Sequence, residues 1–216
     1  CQNSFLDPVL LWMYKGTLFH LETRHMSLKD KEKWDSKYGG TEYITSKEPC
    51  AWLTDNADLL TGKGLAIDMA SGEGRNAVFA AEKGYETLAI DVSANGLGKA
   101  RSLANEKNVI IETSVVDLDD WKFEQNAFDL VLCFNFLERR IFPDIRNTLK
   151  PGGLIFYETF TIDYLKYSNF KRGWVLEHNE LLEAFSEFHI LRYREVDHDN
   201  KAFASLVARK KNDSEN

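Results

Sequence analysis

Between positions 68 and 76 the chain reads Asp68-Met69-Ala70-Ser71-Gly72-Glu73-Gly74-Arg75-Asn76. Gly72 and Gly74 allow a tight turn with no side chain between backbone and ligand. The first amides of a helix opening just beyond them can receive an anionic group such as a carboxylate. A Gly-x-Gly alone is a weak signal. Gly72, Gly74 and Ala77 also satisfy a GxGxxA nucleotide fingerprint, which keeps a nicotinamide-dependent oxidoreductase in play. Two further acids stand in comparable places. Asp91 follows the apolar run ETLAI, where a carboxylate can accept both hydroxyls of a ribose. That suits NAD and adenosyl ligands equally. An unpaired carboxylate at a buried strand end is otherwise costly, which favours a ligand role for Asp91. Asp117, with Leu118 beside it, ends NVIIETSVV, where a carboxylate can accept an adenine amino group. Asp119 and Asp120 compete with it for that role. Asp68 has a rival reading too, as a tie for the loop amides.

These acids need strands to present them. GLAIDMA, ETLAID, NVIIETSVVD, FDLVLCF and LIFYETF are apolar runs of strand length. FDLVLCF, over 128–134, has the unbroken apolar character of a strand buried on both faces. Helical spacing lies between the runs. RNAVFAAEKG stops at Gly84, and a helix after Ser93 takes that residue as its cap. Further helices are expected over 27–38, 50–60, 138–149 and from Asn179, which is expected to cap NELLEAFSEF. HILRYREVD and KAFASLVARK alternate and read as a closing antiparallel pair. Strands alternating with helices predict a Rossmann-like α/β sandwich of three layers, with a mixed sheet of about seven strands, the last antiparallel. Ligands of such sheets sit beyond the carboxyl ends of the strands, so the acidic strand ends share one rim.

Composition agrees with a soluble globular protein. The chain has 216 residues, 44% hydrophobic and 28% charged, which excludes disorder, collagen and coiled coil as the main architecture. A net charge of -7 argues against a nucleic-acid partner, which needs a basic stripe. Three scattered cysteines form neither a zinc pattern nor a disulfide framework, and a reducing cytoplasmic setting is expected. No apolar run is long enough for a membrane span. The expected division is an N-terminal extension of non-native origin over 1–25, a catalytic domain over 26–210 and a polar tail over 211–216. A native arm packed on the domain is the alternative for 1–25.

Lys150-Pro151-Gly152-Gly153, opening the fifth strand, completes a set with Asp68, the glycines, Asp91 and Asp117. This set resembles the class I S-adenosylmethionine-dependent methyltransferases. AIDMASGEGRNAVFAAEKGYETLAIDVS, VVDLDDW, FDLVLCFNFLERRIFP, LKPGGLIFYETFT and VLEHNELLEAF narrow the resemblance to the small bacterial tellurite-resistance TehB-like group. It runs from about Trp34 to Lys210. Ser71 and His178 depart from the group, standing where Cys or another small residue, and Pro, are common.

The resemblance implies S-adenosyl-L-methionine as cofactor and S-adenosyl-L-homocysteine as product. It implies Asp68, Ala70, Ser71, Gly72, Gly74, Arg75 and Asn76 for the methionine end, Asp91 and Val92 for ribose, and Asp117 and Leu118 for adenine. Asn135 would offer its carbonyl to the ammonium. Phe136, Glu138, Arg139, Tyr157, Thr159 and Phe160 are candidates for the acceptor, with Arg140 beside them. Trp34, Tyr38 and Tyr43 are candidates for a lid. Arg139 and Arg140 read first as a solvated face, with an anion site as the alternative, and Cys133 as an inert core residue. No catalytic base and no metal site is assigned. The expected function is methyl transfer to a small molecule, such as a thiol or a chalcogen oxyanion, by a monomer or homodimer. A non-catalytic module that binds the adenosyl ligand is a further alternative. Asn135-Phe136-Leu137-Glu138 is not the Asp/Asn-Pro-Pro-aromatic motif of nucleic-acid amino-methyltransferases.

Overall fold

A computed structural model describes residues 28–212. The expectations for 1–25, and for the tail beyond Asn212, lie outside the described residues. Seven strands form one sheet in the order β3-β2-β1-β4-β5-β7-β6. They are β1 (Leu65–Met69), β2 (Glu86–Asp91), β3 (Ile111–Val115), β4 (Phe128–Phe134), β5 (Leu149–Phe160), β6 (His189–His198) and β7 (Lys201–Arg209). β1 pairs in parallel with β2 and β4, β2 with β3, and β4 with β5. β7 is antiparallel to both β5 and β6, so it alone runs against the others. The mixed sheet expected from the sequence is therefore present.

Among the described residues six α-helices accompany it: α1 (Leu28–Tyr38), α2 (Ala51–Asp55), α3 (Arg75–Glu82), α4 (Ala94–Glu106), α5 (Phe142–Thr148) and α6 (Glu180–Ala184). One apolar layer packs Ile67, Val131, Ile155 and Leu206 of the sheet with Ile145, Leu181 and Phe185. The opposite face packs Leu130, Leu132, Phe156 and Val207 against Trp52, Leu53 and Ala80. Alternate residues of β4 thus feed opposite cores, which is why the strand is apolar from Leu130 to Phe134.

Several helices are shorter than the sequence pattern predicts. The expected helix over 50–60 breaks at Asn56, whose side-chain amide donates to the Trp52 carbonyl at 2.7 Å. It occupies the acceptor that a continuing helix would give to the Asn56 backbone amide. The segment expected over 138–149 opens as a 3-10 turn at Arg139–Ile141, and α5 follows with Pro143 in its first turn. Ser93 does cap α4, accepting the Gly96 amide at 3.1 Å. Asn179 does not cap α6 with its side chain: it sits at φ +62, and its amide donates to Glu195 at 2.6 Å.

Candidate functional site

The carboxyl ends of β1, β2, β4 and β5 open into a cavity of about 530 Å³. At its deeper end the chain leaves β1 through Ala70, at φ +53, and turns through Gly72 and Gly74, at φ +55 and +80. A Cβ on Gly74 would stand 2.3 Å from the Ala100 methyl, so this glycine lets α3 and α4 close on each other. A Cβ on Gly72 would stand 2.7 Å from the Tyr38 hydroxyl. The turn is tied to the end of β2. Asp91 accepts the Gly72 amide on one carboxylate oxygen and the Ser93 amide on the other, each at 2.8 Å. Burial pushes its pKa upward, and the two amides oppose that shift.

Asp68 is 1% exposed and lies in the cavity wall. Burial drives its carboxyl up to about 8, against the Ala77 amide, which favours the charged form. Its Oδ2 has no hydrogen-bond partner, nor does the buried Ser71 hydroxyl nearby in the loop. Buried polar atoms left without protein partners are the usual mark of a site completed by something else.

Glu73 fastens the segment after α1 to this loop. Its carboxylate accepts the Ile44 amide at 3.1 Å, the Thr45 amide at 2.9 Å and the Thr45 hydroxyl at 2.7 Å. The Lys99 ammonium joins at 3.0 Å. Burial disfavours its charge, yet these donors outweigh burial and hold its pKa below the ordinary value. α1 is fastened separately, through Asp35 to the Ser93 hydroxyl at 2.6 Å and to Asn95. Trp34 and Tyr38 stack at 5.5 Å and cover the cavity from this side.

The structure brings together, around one cavity, Asp68, Ala70, Ser71, Gly72, Arg75, Asn76, Asp91, Val92, Leu118 and Asn135 of the expected cofactor set. Gly74 supports the turn from behind. Asp117 does not line the cavity. Its carboxylate accepts the Asp119 amide at 3.0 Å, closing a turn, and only its neighbour Leu118 reaches the wall. Of the expected acceptor set, Phe136, Thr159 and Phe160 line the cavity. Glu138, Arg139 and Tyr157 do not. Tyr157 is fully buried, with its hydroxyl donating to the Phe136 carbonyl at 2.9 Å. Glu138 and Asp119 hold Arg140, at 3.0 and 2.7 Å. Arg139 clamps Glu180 at 2.5 Å and the carbonyls of Gly173 and Val175 at 3.0 and 2.8 Å. Of the expected lid, Trp34 and Tyr38 line the cavity. Tyr43 instead donates to the Lys99 carbonyl at 2.8 Å.

Lys33, Lys37, Phe170 and Trp174 also line the mouth. The first two lie on a helix whose polar run reads as a solvated face, and nothing local marks them. Phe170 and Trp174 lie in an aromatic-rich loop that core closure would equally explain. Cys133 is a core residue, its thiol pushed by burial up to about 12. Among the described residues no cluster of three or more His, Cys, Asp or Glu could hold a metal, and no helix is long and apolar enough to cross a membrane.

Comparison with known proteins bears on the fold and the family. The "Probable S-adenosyl-L-methionine-dependent methyltransferase TehB" of Haemophilus influenzae is 26% identical over 168 residues, covering 67% of this chain and 57% of that protein. A ubiquinone biosynthesis O-methyltransferase of Idiomarina loihiensis is 30% identical over 114 residues, 50% of this chain and 46% of that protein. The chain thus spans about half the length of these curated relatives. The crystal structure of TehB from Haemophilus influenzae superposes with a TM-score of 0.64 at 21% identity, covering 84% of this chain and 67% of that one. A structure concerned with conversion of a disulfide bond into a thioacetal group during echinomycin biosynthesis superposes at 0.65 and 16% identity, covering 87% and 92%. Residues 66–153 match the methyltransferase-domain family model. That match takes in the first four strands and the glycine turn, the parts that shape the deeper end of the cavity, and the chain carries a class I S-adenosylmethionine-dependent methyltransferase domain.

Proposed function

We propose that the protein transfers a methyl group from S-adenosylmethionine to a small-molecule acceptor that brings its own nucleophilic lone pair, a thiolate or a chalcogen oxyanion. The observation that carries this reading is the pairing of a buried Asp68 carboxyl, whose Oδ2 has no partner among the described residues, with the Asp91-anchored glycine turn in one cavity wall. A ligand with an ammonium at one end and a ribose at the other fits that pair. Bound there, the cofactor supplies a methyl carbon activated by its sulfonium. Asp68 and Ser71 offer acceptors for the ammonium, and the free lone pairs of Asp91 face the ribose hydroxyls. Leu118 and Val92 give an apolar wall for the base. Tyr38 and Trp34 exclude water from above, and proximity in a dry pocket is then the main catalytic term.

Strand order counts against the nicotinamide reading. Dinucleotide-binding sheets of this type run in the order 3-2-1-4-5-6, whereas here an antiparallel β7 separates β5 from β6. Calorimetric titration with S-adenosylmethionine, S-adenosylhomocysteine and NAD, with Asp91→Ala as control, tests the proposal. Micromolar binding of the adenosyl ligands, weakened by the substitution, supports it. Binding of NAD alone overturns it.

A further inference from the structure

This inference rests on the methyl-transfer reading and concerns the mouth of the same cavity. On one side, Phe160 and Phe170 meet edge to face with centroids 5.5 Å apart, and Phe170 and Trp174 do so at 6.0 Å. On the other side, α1 presents Lys33, Trp34 and Lys37. The Lys37 ammonium lies 4.4 Å from the Trp34 ring centre. The Lys33 ammonium lies 5.7 Å from Trp34 and 5.9 Å from Trp174, so it bridges the opening.

Lys33 and Lys37 are one helical turn apart, where like charges repel and weaken the helix. Among the described residues neither has a carboxylate partner. Asp35, the acid between them, is committed to Ser93 and Asn95. The acids that line the cavity, Asp68, Glu73 and Asp91, all belong to the glycine turn and the ends of β1 and β2. In a chain of net charge -7, two ammonium groups without a carboxylate partner among the described residues therefore line one aromatic mouth.

We propose that the acceptor is a flat aromatic anion, its ring against Phe160, Phe170 and Trp174 and its negative group facing Lys33 and Lys37. Among the described residues the mouth offers neither imidazole nor carboxylate to take a proton, which suits an acceptor already ionised at its nucleophilic atom. The acceptor's lone pair forms the bond to the methyl carbon. The carbon–sulfur bond breaks, its electron pair returns to sulfur, and the sulfonium becomes a neutral thioether. A thiolate acceptor leaves no proton to place.

The test is calorimetry on the intact protein loaded with S-adenosylhomocysteine, titrated with 4-mercaptobenzoate, its isostere 4-mercaptobenzamide, which keeps the thiolate and lacks the carboxylate charge, and selenite. The carboxylate binds more tightly than the amide. The double substitution Lys33→Met and Lys37→Met weakens the carboxylate about tenfold and leaves the amide unchanged. Raised salt weakens the carboxylate more than the amide. Equal or absent binding of carboxylate and amide overturns the inference, as does selenite binding as tightly as the aromatic probe. Failure to bind S-adenosylhomocysteine removes the methyl-transfer reading itself, and this inference with it.

Discussion

Asp91 accepts the amide of Gly72, across the gap between β2 and the turn that follows β1, at 2.8 Å. The residue proposed to hold the ribose is therefore also the residue that shapes the loop. Replacing it removes two hydrogen bonds to buried amides as well as the ligand contact. Asp91→Ala is expected to weaken S-adenosylhomocysteine by about 10–100-fold and to cost about 1–3 kcal/mol of stability, since each stranded amide carries a desolvation penalty. Calorimetry and urea unfolding of the same variant separate the two effects.

Two glycines give opposite expectations. Gly74→Ala meets a positive φ and the Ala100 methyl together, and should cost about 2–4 kcal/mol in urea unfolding. Gly98 lies inside α4 with only the Arg101 guanidinium as near as 4.0 Å. Gly98→Ala should stabilise by about 0.5–1 kcal/mol.

Asp68 sets a pH dependence. Burial raises its carboxyl from 3.8 to about 8. Between those values the unfolded chain has released the proton and the native state keeps it. The native state then binds more protons, so its stability falls as pH rises through the window. Asp68→Asn should flatten the Tm profile over about pH 5–8. A ligand that presents an ammonium to Asp68 favours the ionised carboxyl and expels its proton. Calorimetry near neutral pH in buffers of different ionisation enthalpy should detect proton release, and the asparagine variant should lose it.

Much of this architecture is legible in the residues. FDLVLCF has one workable role, a strand buried on both faces, and β4 spans it end to end. Asp68 and Asp91 are legible because acids seldom close apolar runs without reason. Asp117 shows the limit of that rule: the same placement, one strand over, closes a turn onto Asp119. Arg139 shows it too. A pair of arginines opening a helix looks like a solvated face or an anion site, and its partner Glu180 lies 41 residues away. Glu73 falls inside the glycine motif, but its function depends on Ile44, Thr45 and Lys99, brought to it only by the tertiary fold.

Glu73→Gln should loosen the segment after α1. It halves the acceptors available to the Ile44 and Thr45 amides and cancels the charge opposite Lys99. Hydrogen exchange at those two amides should rise about tenfold or more, while β1 and β4 stay protected. Thr45→Val, which deletes one bond and no charge, should give a smaller effect.

Arg139 holds the Trp174 loop by its carbonyls, so Arg139→Met should act on the mouth without touching it. A stability loss of about 1–3 kcal/mol is expected by urea unfolding. KM for the acceptor should rise, with S-adenosylhomocysteine affinity nearly unchanged.

The mouth is framed by α1 on one side and by the stretch from Phe160 to Trp174 on the other, more than a hundred positions apart, and neither contributes a strand end to the glycine turn. Asp68 and Asp91 belong to β1 and β2, outside both frames. A lineage can therefore exchange one acceptor for another by drift in these two stretches, or by recombination that swaps them, while inheriting its donor chemistry intact.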